Sequence, residues 1–529
     1  MDQHPTTSLD TVRSENPDRG RRQFRHAVTV RGIGLAAVWL ISAMSGAAAH
    51  GQQPDDAAAR PAAASDSERM NVLFIISDDL TATALSCYGN TVCQTPNIDA
   101  LAARGVRFTR AYCQGTYCGP SRASFLTGYY PHATGVLGYK SPRPAIGDKA
   151  TWPQHFRNHG YHTARVSKIY HMGVPGGIEI GGDGRDHNNG NGADDAASWT
   201  ERFNSPGPEW KAAGDGETLE GNPDGKKPVV GGNTFVVVEA DGDDMVHSDG
   251  KTAARAVDLL GQYRDRPFWL GVGFVRPHVP FVAPRPYFEP FKPFARMELP
   301  PKIPGDWDDI PKPGINYKTS LNMKMDLRRQ KKAMGGYYAS VAYMDAQVGR
   351  VLQALRDNDL EDNTVVIFTS DHGYHLGEHD FWAKVSLRDE SAAVPLIVCV
   401  PGTKPAVCHS LVELVDLYPT TARLCGLDVP ERLQGEDLSP VLQDPTLTVR
   451  ETAFSVAPSR KGFLLRDDRY AYIQYGEDAA GGIELFDVVA DPKQYTNLAM
   501  NPDHAAVVTG YRQQLADKLT DIRNNDLAP

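Results

Sequence analysis

Residues 71–79 read Asn71-Val72-Leu73-Phe74-Ile75-Ile76-Ser77-Asp78-Asp79, an apolar run that ends in two carboxylates. A continuous run of this kind predicts a strand that is buried on both faces of a parallel sheet. A second such run, residues 364–370, ends at Asp371-His372. Ligands of open α/β sheets bind beyond the carboxyl ends of the strands, so we expect the functional site at these two strand ends.

Two more apolar runs end in polar residues. Residues 268–275 lead into His278, and residues 163–167 lead to Lys168 and His171. A helical pattern at residues 337–355 carries apolar side chains every three or four positions. The alternation of strands and helices predicts an α/β fold with a doubly wound, mostly parallel sheet.

The composition limits the function classes. The chain has 529 residues, which exceeds one typical domain and predicts a large domain plus a smaller one. Its net charge of −10 argues against a nucleic-acid-binding protein. An acidic protein can still bind an anionic substrate if its basic residues are concentrated at one site.

The N-terminal residues are predicted to lie outside the fold. Arginines precede an apolar run at residues 33–44, and small residues follow, so residues 1–49 are predicted to be a signal peptide. The run is too short for a membrane anchor, and no stable membrane span is expected after cleavage. Residues 50–69 are predicted to be a disordered leader. We therefore expect an exported protein, periplasmic or secreted, with the Sec and twin-arginine routes both open.

Seven cysteines in a chain of this length do not form a disulfide framework. Export to an oxidising compartment is compatible with one disulfide among Cys87, Cys93 and Cys113. Cys399 lies in an apolar run and is expected to be a free thiol in a buried strand.

Residues 117–128 read Tyr117-Cys118-Gly119-Pro120-Ser121-Arg122-Ala123-Ser124-Phe125-Leu126-Thr127-Gly128. Pro120 suits the first position of a helix and Gly128 suits its end. Cys118 would then lie just ahead of a helix N-terminus, where free N–H groups attract an anion. Such a thiol could be a low-pKa nucleophile, an ordinary buried cysteine or the precursor of a modified residue.

The string Cys-x-Pro-Ser-Arg followed by Leu-Thr-Gly resembles the signature of the type I, formylglycine-dependent sulfatases. The resemblance covers about residues 70–525. It implies an alkaline-phosphatase-like fold, and a separate maturation enzyme that oxidises Cys118 to formylglycine, an aldehyde. Further strings look like the iduronate-2-sulfatase branch: Asp371-His372, Lys168-x-x-His171, Arg276-Pro277-His278, Gly377-Glu378-His379 and Trp382-Ala383-Lys384.

The resemblance also implies two parts of unequal size. Residues 70–442 would form the catalytic domain and residues 443–529 a smaller C-terminal α+β subdomain. Short strand-like runs at 462–466, 470–475 and 483–487 precede a predicted helix at 504–521. A stretch at 173–232, rich in Gly, Asp and Asn, is either a flap near the site mouth or a solvated insertion without a role.

Asp78, Asp79 and Asp371 would place three carboxylates at neighbouring strand ends. Their repulsion would keep some of them protonated unless a divalent cation compensates it, and hard oxygen ligands favour Ca²⁺ or Mg²⁺. A single acidic pair could instead be a surface turn or a helix cap. The resemblance implies one ion, Ca²⁺ rather than Mg²⁺, with these ligands: Asp78, Asp79, the aldehyde-derived oxygen at Cys118, Asp371 and His372.

His375, Glu378 and His379 match the H-x-x-E-H pattern of one class of zinc proteases. That motif needs a helix to bring both histidines onto one face. Gly373 and Gly377 interrupt this stretch, which disfavours a zinc protease.

The resemblance implies that the hydrated aldehyde at residue 118 attacks sulfur while basic side chains neutralise the sulfate oxygens. His278 would protonate the leaving oxygen, and His171 would then remove a proton from the second hydroxyl so that sulfate is released. The implied catalytic residues are Cys118, Arg122, Lys168, His171, His278 and Lys384.

The expected activity is sulfate ester hydrolysis, and the expected substrates are sulfated saccharides such as a 2-O-sulfated uronate. Two alternatives stay open. One is a phosphonate monoester or phosphodiester hydrolase with the same aldehyde, and the other is an exported carbohydrate-binding pseudoenzyme.

Overall fold

A nine-stranded sheet forms the centre of the computed structural model, which describes residues 69–173, 192–221 and 234–527. The predicted signal peptide, the leader up to residue 68 and parts of the predicted flap lie outside the described residues. The strands are β1 (Asn71–Asp78), β2 (Val106–Tyr112), β3 (His162–Ser167), β4 (Glu201–Phe203), β5 (Gly214–Thr218), β6 (Val236–Ala240), β7 (Phe268–Pro277), β8 (Phe281–Pro284), β9 (Thr364–Ser370), β10 (His375–Leu376), β11 (Trp382–Ala383), β12 (Ala393–Cys399), β13 (Ala406–Cys408), β14 (Val412–Glu413), β15 (Ala453–Ala457), β16 (Gly462–Arg466), β17 (Tyr470–Tyr475) and β18 (Ile483–Asp487).

The described helices lie between and after these strands. They are α1 (Pro96–Ala102), α2 (Cys118–Thr127), α3 (Pro131–Thr134), α4 (Arg143–Ile146), α5 (Trp152–Asn158), α6 (Ser248–Tyr263), α7 (Leu327–Asp357), α8 (Asp389–Ala392), α9 (Leu417–Leu424), α10 (Ser439–Gln443) and α11 (Ala505–Arg523). Among the described residues, no helix combines the length and the apolar character that crossing a membrane requires.

The large sheet has the order β13-β2-β12-β9-β1-β7-β3-β4, and β14 also pairs with β2. The pairings are parallel except those of β12, which runs antiparallel to β2 and β9. This arrangement confirms the predicted doubly wound, mostly parallel sheet.

Alternate side chains of β1 enter two different cores, which explains its continuous apolar sequence. Leu73 and Ile75 pack with side chains of α1, α6 and α7. Val72, Phe74 and Ile76 pack on the opposite face with side chains of α2, α5, α9 and α10. A strand covered by helices on both faces has no solvent-facing side and therefore lacks alternating polar residues.

The C-terminal part has its own antiparallel sheet in the order β15-β16-β17-β18. Three of its strands match the predicted runs, and β15 was missed. Tyr511, Leu515 and Leu519 of α11 pack on this sheet. The smaller C-terminal α+β part is therefore confirmed, while the boundary between residues 442 and 443 stays a prediction.

Helix α2 begins two residues earlier than predicted, with Tyr117 as its N-cap and Cys118 in its first turn. Pro120 is the third helical residue rather than the first. Its missing N–H has no consequence there, because the first N–H groups of a helix lack intrahelical partners anyway. Gly128 ends the helix as predicted, with a left-handed φ of 78°.

The expected disulfide is absent, because all seven cysteines are free thiols. Cys93 belongs to one core and Cys113 to the core on the other face of the sheet, and the Cys93 thiol contacts the Tyr338 carbonyl oxygen at 3.7 Å. Cys399 is free, as expected, and ends β12. The zinc-protease pattern is also excluded, since His375 lies in β10 and His379 adopts a φ of 57° in a turn.

Candidate active site

Four adjacent strands, in the order β9-β1-β7-β3, supply most of the predicted site residues at their carboxyl ends. Asp78 ends β1, and Asp79 follows it with a left-handed φ of 64°. The residues that follow the other three strands are Asp371, His372, His278 and Lys168, and all of them are buried.

Cys118 lies at the centre of this group. Its Sγ atom is 3.4 Å from Asp78 Oδ1, 3.4 Å from His372 Nε2 and 3.4 Å from Lys384 Nζ. Burial raises the pKa of the Cys118 thiol, and the Asp78 carboxylate raises it further. The unmodified side chain is therefore a poor thiolate nucleophile.

Arg122 connects α2 to three strand ends. Its Nε donates to Asp371 Oδ2 at 2.9 Å, and its Nη2 donates to Asp78 Oδ1 at 3.1 Å. Its Nη1 donates to the carbonyl oxygens of Lys168 and Ile169 at 2.6 and 3.0 Å. The guanidinium therefore ties α2, which begins at Cys118, to the carboxyl ends of β1, β9 and β3.

Two lysines balance the remaining carboxylate charge. Lys168 Nζ donates to Asp78 Oδ2 at 2.6 Å, and Lys384 Nζ donates to Asp79 Oδ1 at 2.7 Å. Burial alone would raise the pKa of Asp78, but Lys168 and its other basic neighbours lower it well below its ordinary value. Burial alone would lower the pKa of Lys384, but Asp79 raises it well above its ordinary value.

His278 and His372 are held in the same way. Nδ1 of His278 donates to Val279 O at 2.6 Å, and Nδ1 of His372 donates to Gly373 O at 2.8 Å. Nε2 of each ring consequently faces the carboxylates, 3.8 Å from Asp79 Oδ2 for His278 and 3.1 Å from Asp79 Oδ1 for His372. Burial lowers the pKa of His278 to about 4, so the free imidazole is neutral at neutral pH.

His171 lies at the edge of the cluster and is partly exposed. Its ring stacks on Tyr139, with the ring centroids 4.1 Å apart and an angle of 23° between the planes. Burial of the imidazole and the charge of Lys168 lower the pKa of His171 well below its ordinary value. All of the predicted site residues therefore lie in or beside one cluster.

Two tyrosines at the site were missed. Tyr337 donates from its hydroxyl to Asp79 O at 2.7 Å and accepts from Thr81 N at 2.9 Å, which holds the left-handed turn at Asp79. Tyr337 belongs to the apolar stripe of α7, which indicated a core residue, so the contact of its hydroxyl with the backbone at Asp79 was not predicted. Tyr139 lies in an irregular loop, where the sequence carries no periodic signal.

The donor set fits a divalent cation. Two groups of four side chains each place one potential ligand atom per residue within 4.8 Å of the others. The first group is Asp78, Cys118, Asp371 and His372, and the second is Asp78, Asp79, Cys118 and His278. His372 Nδ1 is the donor to a carbonyl, which leaves Nε2 facing the carboxylates. Burial alone would lower the pKa of His372, but Asp371 and Asp79 raise it well above its ordinary value, so a bound cation would take the place of the proton on Nε2. Burial raises the pKa of Asp371 in spite of Arg122, and a cation would relieve that cost.

Two family models match the chain. The model described as sulfatase matches residues 70–427, and the model described as N-sulphoglucosamine sulphohydrolase, C-terminal, matches residues 377–524.

The chain belongs to the sulfatase family.

Among its relatives, the human iduronate 2-sulfatase is 34% identical over 70% of this sulfatase and 71% of the relative. A sulfatase of Formosa agariphila is 30% identical over 82% of this sulfatase and 84% of the relative. Among solved structures, a phosphonate monoester hydrolase from Silicibacter pomeroyi has a TM-score of 0.69 and 22% identity, covering 86% of this sulfatase and 96% of that chain. That last likeness concerns the fold alone.

The resemblance to the sulfatases, the predicted fold class and the predicted enzyme class are confirmed. This sulfatase is a sulfuric ester hydrolase, with the iduronate-2-sulfatase-like similarity predicted from its motifs. The family implies a divalent metal and a formylglycine, and the buried donor group is where such an ion would bind.

Proposed function

We propose that this sulfatase hydrolyses sulfate esters of sulfated saccharides, in the manner of an iduronate 2-sulfatase, through a formylglycine formed from Cys118. The observation that carries the proposal is the position of the Cys118 Sγ atom, 3.4 Å from a carboxylate, an imidazole and an ammonium group. The human relative is named for a sulfated uronate, which supports the saccharide class.

The charge balance supports an anionic substrate. The charges of three carboxylates and three cationic side chains cancel: Asp78, Asp79 and Asp371 against Arg122, Lys168 and Lys384. A divalent cation would make the site positive by two charges, opposite in sign to a sulfate ester. Asp78, Asp79, Asp371 and His372, with the oxygen at residue 118, would hold this ion, which we propose to be Ca²⁺.

The chemistry divides between the modified residue and the unmodified side chains. When formed, the aldehyde supplies a hydrated carbon whose hydroxyl can attack sulfur, and the ion supplies Lewis acidity. Lys168 and Lys384 stabilise the charge on the sulfate oxygens, and Arg122 orients the first turn of α2. His278 Nε2 donates a proton to the leaving oxygen, and His171 accepts a proton at residue 118.

Export belongs to the same proposal. We propose that residues 1–49 are removed as a signal peptide, that residues 50–69 form a leader, and that the mature enzyme acts in the periplasm or outside the cell. A formylglycine-generating enzyme would act on Cys118, which is buried in the folded protein and therefore has to be reached before folding is complete. The proposed catalytic domain ends at residue 442.

Mass spectrometry of the peptide that contains residue 118 tests the proposal. In protein from its native host we expect an aldehyde in place of the thiol, and an intact thiol would leave the proposed mechanism without a nucleophile. We expect Cys118→Ala to abolish hydrolysis and Cys399→Ala to retain it as a matched control. Paired kinetics on an aryl sulfate and an aryl phosphonate would distinguish a sulfatase from a phosphonate hydrolase, since faster phosphonate turnover would favour the latter.

A further inference from the structure

The side chain of His171 is oriented differently from the other two histidines of the site. The rings of His278 and His372 are each fixed by an Nδ1–H bond to a backbone carbonyl. Nδ1 of His171 is buried and has no hydrogen-bond partner among residues 69–173, 192–221 and 234–527. Among these described residues, the orientation of the His171 ring therefore depends on a contact of another kind than an Nδ1 hydrogen bond.

The phenol ring of Tyr139 makes that contact. It stacks on the imidazole of His171 with a centroid distance of 4.1 Å. Tyr117, the N-cap of α2, holds the loop that carries Tyr139, because its hydroxyl donates to Leu137 O at 2.5 Å and its ring packs edge-on against Tyr139 at 5.5 Å. The stack is therefore tied to the helix that presents Cys118.

Gly119 allows the loop to approach this helix. A Cβ atom at residue 119 would overlap Gly138 O and would lie 3.0 Å from Tyr139 Cδ1. Gly119 occupies the variable position of the Cys-x-Pro-Ser-Arg string, so the local motif does not explain why it is glycine. The close approach of the loop does explain it.

The backbone of His171 is held independently, since Ala193 N donates to His171 O at 2.7 Å. Tyr139 has 47% of its surface exposed and belongs to neither of the two cores that flank the large sheet, so its replacement leaves those cores intact. Loss of the stack should consequently free the imidazole without unfolding the site.

We infer that Tyr139 is a positioning residue for His171, whose ring it holds in the orientation that accepts a proton at residue 118, and that Gly119 is required for this stack. The inference rests on the proposed function, in which His171 acts after the leaving alcohol has departed. Tyr139 therefore controls the second half of the reaction rather than the first.

The test compares Tyr139→Leu with Tyr139→Phe in the metal-loaded, converted enzyme, with rates normalised to the aldehyde content at residue 118. We expect Y139L to lower steady-state kcat on 4-nitrophenyl sulfate by about 10- to 100-fold. The first turnover should stay close to the wild-type rate, so that a burst of one nitrophenolate per converted site appears. Y139F retains the ring and should stay within about twofold of the wild type.

Crystal structures of the same variants give a readout that does not depend on activity. The His171 ring should rotate in Y139L and keep its orientation in Y139F. Gly119→Ala keeps both aromatic side chains and should reproduce the Y139L kinetics by displacing the loop.

Three results would overturn the inference: an unchanged kcat in Y139L, equal slowing of first turnover and steady state, or an unmoved His171 ring. If the converted wild-type enzyme hydrolysed no sulfate ester, the proposed function would be refuted. The orientation of the His171 ring in the variant structures would still show whether Tyr139 positions it.

Discussion

His278 combines burial with one ring nitrogen that faces the site. Its Nδ1–H is engaged by Val279 O, and burial lowers the pKa of the imidazole to about 4 in the free enzyme. A neutral ring cannot donate from Nε2, so the bound sulfate ester has to raise this pKa before His278 can act as an acid.

The first prediction concerns the dependence of His278 on the leaving group. We expect His278→Ala to lower kcat/KM for sugar sulfates by about 100- to 10,000-fold. The loss on 4-nitrophenyl sulfate should be far smaller, because nitrophenolate departs without a proton. Parallel kinetics on the two substrates measure the difference.

His409 provides the control for this prediction, since it is exposed and lies outside the cluster. We expect His409→Ala to leave both rates unchanged. Equal losses on the two substrates in H278A would remove His278 from the role of general acid.

Helix α2 shows how one element depends on its ends. Its first residue is Cys118 and its C-cap is Gly128, whose φ of 78° favours glycine. A Cβ at residue 128 would also overlap Leu433 Cδ2. Gly135 has a similar φ of 65°, but a Cβ at that residue would meet no neighbouring atom within 4 Å in the part of the chain that the structure describes.

The second prediction compares these two glycines. We expect Gly135→Ala to cost about 1 kcal/mol of unfolding free energy through backbone strain alone. Gly128→Ala should cost about 2–4 kcal/mol, because overpacking against Leu433 adds to the strain. Urea unfolding of both variants measures the difference, and equal costs would show that Leu433 simply moves aside.

The third prediction concerns the loss of the metal. We expect chelation with EGTA to abolish hydrolysis and added Ca²⁺ to restore it, with Mg²⁺ restoring less. The fold should persist, because Arg122, Lys168 and Lys384 already compensate the three carboxylates. Activity and thermal unfolding measured on the same samples check both statements, and activity that survives complete chelation would contradict the proposed ion.

At the scale of the whole molecule, one partly buried carboxyl outside the site makes stability depend on pH. Burial raises the pKa of Glu390 to about 7, and the charge of Glu378 raises it further, against an ordinary value of 4.5. The folded protein therefore binds this proton more tightly than the unfolded chain does. The resulting stabilisation is complete below about pH 4.5 and is lost as the pH rises through about 7.

The fourth prediction follows from this linkage. Glutamine resembles the protonated acid and does not titrate. When the pH rises from about 5 to about 8, the unfolding free energy of Glu390→Gln should therefore fall less than that of the wild type, by up to about 3 kcal/mol. Urea unfolding at both pH values measures the change. Glu298 is exposed, and Glu298→Gln should follow the wild type. Parallel pH profiles for E390Q and the wild type would contradict the prediction.

Much of the site was predictable because its signals are local. Asp78 and Asp371 follow apolar runs, and the motif around Cys118 and Arg122 occupies adjacent residues. The start of α2 was placed two residues too late, since Pro120 is tolerated at more than one position of the first turn. Tyr139 and Tyr337 were missed because their roles depend on contacts with residues far away in the chain.

The sequence by itself determined the family, the candidate site residues and the strands that carry them, because residue types and apolar periodicity are properties of short segments. Tertiary structure alone decided that β9, β1, β7 and β3 lie side by side, although they are far apart in the chain. It also decided that Gly119 makes room for Tyr139 and that Tyr139 meets His171. The physical reason is that strand order and ring contacts arise from packing between distant segments, and no local period records which segments meet.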